Sequence, residues 1–158
     1  MPPIVRTISR CFACGLISML LFSLNPSQAS AQSRLSDKDV EKLMDNLKED
    51  TKKFRSSFNS AVEKSTIRNT DQEKQSKSLV ERFQKQTEDM LHDFKDKKNA
   101  DTQLKAVRDS ASEIDKVLAS TTMGGDVGPK WMTVRTELTT ISKAFGIDTP
   151  ALDAASAK

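Results

Sequence analysis

A single histidine, His92, closes the run Glu88-Asp89-Met90-Leu91-His92 and is the first place to look for acid–base or metal chemistry. On a helix Asp89 and His92 lie three residues apart and Glu88 and His92 four, so a carboxylate and an imidazole can share one face. A di-iron bundle needs Glu-x-x-His on two helices and two further glutamates, all pointing inward. Here there is one histidine. It stands nine residues past Phe83, about 180° around a helix from that apolar position. The expectation is a solvated imidazole. Haem ligation by methionine and histidine fails on the same point, which leaves Met44 and Met90, both on apolar stripes, as core filler. A hydrolytic triad lacks its inward base.

The carboxylate pairs Glu49-Asp50 and Glu88-Asp89 have the chemistry for proton transfer. They sit among Lys52, Lys53 and Lys85 at helical spacings, the pattern of a solvated helix face. Gly124-Gly125-Asp126-Val127-Gly128-Pro129 offers glycines ahead of a helix, where backbone amides can cradle phosphate. A phosphate loop requires G-x-x-x-x-G-K-[ST] after a strand, and Pro129 has no amide to give. Turn geometry explains these glycines. No catalytic, cofactor or metal residues are therefore expected.

The two cysteines, Cys11 and Cys14, belong to a segment with its own logic. Residues 1–31 begin with Arg6 and Arg10 and no acid, continue through an apolar run from Cys11 to Leu24, and end in Ala29-Ser30-Ala31. That order is a secretory signal with cleavage between Ala31 and Gln32. A membrane anchor needs about 20 apolar residues, and the run has 14. Cysteines that open the run do not suit a lipoprotein, whose acylated cysteine closes it. Both thiols leave with the signal, and with them any disulfide, thiol nucleophile or cysteine zinc site. The mature protein is expected in the periplasm or outside the cell, with no transmembrane segment.

Removal of Arg6 and Arg10 also changes the charge argument. The 25 basic residues fall to 23 against 22 acidic, so the formal net charge of +3 becomes +1. Ser36 to Ser65 holds seven charges of each sign, and so does Thr70 to Lys98. Such a chain has no net field to attract phosphates, and nucleic acid is not an expected partner.

Residues 32–147 carry the elements that must position any site. Ser36 is placed to cap a first helix, with Asp39 in its first turn and Leu35 able to staple onto Val40. Val40, Leu43, Met44, Leu47, Phe54, Phe58, Ala61 and Val62 then recur at three and four, carrying the helix to Ser65. After a turn at Ile67-Arg68-Asn69, Thr70 and Glu73 form a capping box for a second helix ending near Lys97-Lys98-Asn99. A third runs from Asp101 with a narrow seam of Leu104, Val107, Ala111, Ile114 and Leu118. The fourth is expected to start at Pro129, present Trp131, Val134, Leu138, Ile141 and Phe145, and stop at Gly146. With short connections and no strand alternation, this predicts an all-α antiparallel four-helix bundle of two long helices and two shorter ones. Residues 148–158 read as a frayed tail.

By helix order and by the tryptophan-led last helix, the mature chain resembles small exported helical-bundle proteins of bacteria with no known activity. The resemblance implies fold and export and brings no function with it. Leu138-Thr139-Thr140-Ile141-Ser142 approaches the L-T-x-x-Q motif of periplasmic chaperones, but Ser142 stands where glutamine is required. The expected function is non-enzymatic: binding of a protein or other envelope or extracellular component, or a structural role; a haem- or metal-carrying bundle comes second and an enzyme third. Helix lengths suggest a contact point. The first two helices should run about 40 Å and the others about 30 and 25 Å, so the first pair should overhang. Phe58, facing the region of Lys77, is either covered by helix three or four or left open there as a partner contact.

Overall fold

A computed structural model of the chain describes residues 35–98 and 100–147. The expected cleavage between Ala31 and Gln32 and the tail at 148–158 lie outside the described residues. Within them are four helices and no strand: α1 (Asp37–Val62), α2 (Asp71–Lys95), α3 (Asp101–Ser120) and α4 (Val127–Ala144). They pack as a helical bundle. No helix among the described residues is long and apolar enough to cross a membrane.

The helix ends follow local chemistry. Ser36 Oγ accepts the Asp39 amide at 3.2 Å and starts α1. Leu35 remains 40% exposed, so the staple onto Val40 adds little burial. α1 ends at Val62 instead of Ser65 because the chain tightens: the Ser65 amide and hydroxyl both turn back onto the Val62 carbonyl, at 3.0 and 2.8 Å. Ile67 then folds into the core. Thr70 Oγ1 accepts the Glu73 amide at 3.3 Å, while the Glu73 carboxylate accepts the Asn69 amide at 2.5 Å, one residue further out than a standard capping box.

α2 and α4 close in the same way. After α4, Gly146 adopts φ +70° while the Ile147 and Gly146 amides bond Ser142 and Lys143 carbonyls. After α2, Lys97 takes that position at φ +55°, with the Lys98 and Lys97 amides bonding Asp93 and Phe94 carbonyls. This double bond pattern favours glycine at the left-handed residue. Lys97→Gly is therefore expected to raise stability by about 0.5–1 kcal/mol in chemical denaturation, by removing a left-handed side chain; a loss of stability would show that this end is not strained.

α4 begins at Val127, two residues before the expected start, so Pro129 is the third helical residue. Its missing amide costs nothing there, since first-turn amides have no partner within the helix. Burial sets the earlier start: Val127 is 1% exposed.

α1 packs on α2 and α4, α2 also packs on α3, and α3 and α4 approach each other only sparsely. Met44, Leu47, Phe54, Phe58, Phe83, Met90, Leu104, Ile114, Leu138 and Ile141 are fully buried between them. Trp131 links the whole arrangement. Its ring centroid lies 4.8 Å from that of Phe54 on α1 and 5.5 Å from that of Phe83 on α2, and its Nε1 donates to Asp115 Oδ1 on α3 at 2.7 Å. One side chain from α4 thus touches the other three helices. Between α1 and α2, Lys95 pairs with Glu41 and Asp45 at 3.3 Å, and Arg55 pairs with Glu81 at 2.9 Å. Exposed pairs like these are worth about 0–1 kcal/mol each, so they mark register more than they supply strength.

Candidate functional site

The residues singled out for chemistry are dispersed by the fold. His92 has a side chain 68% exposed, with Nδ1 3.7 Å from carboxylate oxygens of Asp93 and Asp96. The expected partners are engaged elsewhere: Asp89 accepts from Lys85 at 2.8 Å and Glu88 from Gln84 at 3.0 Å. Met44 and Met90 are completely buried on α1 and α2, as filler should be. Among the described residues no three His, Cys, Asp or Glu side chains are grouped so as to hold a metal ion.

The partner-contact reading of Phe58 is corrected by the structure. The side chain is fully buried, with its ring centroid 5.7 Å from that of Phe54, and offers no surface for a partner. Helix lengths alone leave that end of the bundle open, because they do not include the connection between α3 and α4. That segment covers the region: Thr121 and Val127 are buried, Met123 packs on the core, and Lys130 Nζ reaches Ser57 Oγ at 2.6 Å.

The glycines of that connection serve the turn. Gly125 has φ +78°, and an added Cβ at Gly124 or Gly125, or at Gly128 in the first turn of α4, would meet nothing within 4 Å, so none is there for close approach. Asp126 pairs with Lys130 at 2.6 Å, which holds its carboxyl below the ordinary range. Beside it is a depression of about 410 Å³ bordered by Ser56, Ser57, Ser60, Lys64 and Thr122.

A larger groove, about 690 Å³, lies between the first half of α2 and the second half of α3. Leu79 and Val117 are the apolar residues lining it, with Ser76, Lys74 and Lys116 around them. Arg82 Nη2 bonds Glu113 Oε2 across the two helices at 2.6 Å. The groove is within the range of about 300–1,000 Å³ typical of ligand sites. Asp71 to Ser78 contains no apolar residue, and within it Ser76 alone is buried, at 3% exposure.

No known family matches this chain, and no curated protein or solved structure is similar to it. Function must be argued from its own residues.

Two polar constellations went unnoticed in the sequence. Asp115 on α3 holds Trp131 Nε1 and lies 3.5 Å from Arg135 Nε, so α4 presents a tryptophan and an arginine, one turn apart, to a single carboxylate. The second joins α1 to α4. Glu137 faces Asp50; burial, then the Asp50 charge and hydrogen bond, push the Glu137 carboxyl up to about 7, with Lys53 opposing. Lys53 itself bonds Asp50 at 2.7 Å. The Glu49-Asp50 pair is thus half ordinary: Glu49 is lowered by its bond to Lys52, as a helix-face acid should be, while Asp50 has a carboxyl neighbour on another helix. In sequence Glu137 was only the polar residue before Leu138, and nothing in the helical period pairs positions 50 and 137.

Proposed function

We propose that this chain is an exported, non-enzymatic antiparallel four-helix bundle that binds a protein or other component of the envelope or extracellular space. Two cross-helix pairings support the antiparallel reading: Asp45 near the start of α1 pairs with Lys95 at the end of α2, and Arg55 pairs with Glu81. Residues 1–31, with Arg6, Arg10, the apolar run and Ala29-Ser30-Ala31, support export. The observation that carries a binding function is where space is left. Aromatic and methionine side chains occupy the bundle interior, while the larger depression lies outside, along α2 and α3. A bundle of this kind meets its partner through its surface.

The test is recovery of the tagged protein from the envelope and medium of expressing bacterial cells, with the amino terminus and co-purifying proteins read by mass spectrometry. A chain beginning at Gln32, carrying a partner that Leu79→Asp and Lys116→Glu release without loss of helicity, is the expected result. An uncleaved chain retaining Cys11 and Cys14 would overturn export, and a partner held equally by wild type and both variants would overturn the groove.

A further inference from the structure

We propose that Asp50 and Glu137 form a proton-operated clasp between α1 and α4, closed when the two carboxyls share one proton and loosened when both are ionised. Three observations place the device. Asp50, held by Lys53 at 2.7 Å on α1, acts across the α1–α4 interface on the Glu137 carboxyl of α4. Glu137 Oε2 is buried and, as a carboxylate oxygen, finds no donor. α4 depends on this interface, since it packs chiefly on α1 and only sparsely on α3.

Two carboxylates in contact cannot both ionise without mutual repulsion, so one retains its proton. The charged groups acting on Glu137 are Asp50 and Lys53, both on α1, with Glu49 acting on Lys53 in turn. Lys53 compensates one charge. Its side chain is 65% exposed, so water screens it and the second charge remains unbalanced. Burial and Asp50 together hold the Glu137 proton up to about 7, against an ordinary 4.5 in the unfolded chain. Below 4.5 both states are protonated and the stabilisation is complete. Between 4.5 and about 7 the unfolded chain releases a proton that the folded chain keeps, so stability falls as pH rises, until the folded state ionises too. The loosening thus belongs to the approach to neutrality and not to acid.

The chain supplies its own reporter. Trp131 is the only tryptophan, is 5% exposed, and stands on α4 less than two turns before Glu137. Acrylamide quenching of its fluorescence, with thermal unfolding in parallel, is measured from about pH 5 to about pH 9, a range that spans the ionisation of Glu137 in the folded chain. Wild type should show a step to greater quenching with a midpoint near pH 7 and a falling thermal midpoint below it. Glu137→Gln, neutral at every pH, should abolish the step and keep Trp131 protected. Asp50→Asn should move the step to lower pH, because the charge that raises Glu137 is gone. The proposal is overturned if wild type shows no step, if the step persists in Glu137→Gln, or if Asp50→Asn leaves its midpoint in place. A step that disappears instead in His92→Gln belongs to the imidazole and overturns it equally. Should Glu137→Gln fail to fold by circular dichroism, the Asp50→Asn shift alone decides.

Discussion

Trp131→Ala will destabilise the protein by about 3–5 kcal/mol or more, close to the whole stability of a small domain. The Trp131 side chain contacts Phe54, Phe83 and Asp115, so truncation opens a cavity where α1, α2 and α4 meet. It also removes the bridge that spans the sparse α3–α4 side. Trp131→Phe separates the two roles. It keeps most of the aromatic packing and deletes only the Nε1 donor to Asp115, a hydrogen bond to a charged group worth about 1.5–3 kcal/mol. Water reaches Asp115, whose side chain is 26% exposed, so the lower end of that range is expected. Chemical denaturation of both variants checks the order. Equal losses would mean that the hydrogen bond, and not the ring, holds α4; a loss under about 1 kcal/mol for Trp131→Ala would remove Trp131 from the core altogether.

Phe58→Ala should cost about 3–5 kcal/mol, the range for truncating a large buried aromatic. Phe58 is fully buried on α1 beside Phe54, and the α3–α4 connection and the first turn of α4 close over that end of the bundle. The space left by the ring cannot collapse easily, because helices that end in fixed turns have little freedom to shift. A shortened connection is the second probe of the same contact. Deleting Gly124 and Gly125 should draw Thr121 and Val127 out of register and weaken the wild-type contribution of Phe58, so Phe58→Ala should cost less in that background. A Phe58→Ala loss within about 1 kcal/mol in the intact chain would instead mark the ring as surface.

What the amino-acid sequence determined by itself is local. Ser36 and Thr70 cap helices because their hydroxyls reach amides three residues ahead, and Gly146 ends α4 because it accepts a left-handed backbone without a Cβ clash. The three–four spacing assigned Met44, Phe83, Leu104 and Leu138 to buried faces and turned His92 outward, since a helix fixes the angle between its own residues. All of this is physics within one helix or turn. The tertiary structure alone decided how faces meet. Phe58 is buried on a stretch of α1 that Lys130 reaches at Ser57, 73 positions away in sequence, a proximity that helix lengths do not contain. Pro129 falls to the third helical position because Val127 is drawn into the core, a pull from other helices that no capping rule expresses. Glu137 meets Asp50, and Trp131 meets Asp115, only when α4 has settled against α1 and α3. Periodicity orders residues around an axis. It carries no term for the rotation of one axis against another, and that rotation determines which two carboxyls share a proton.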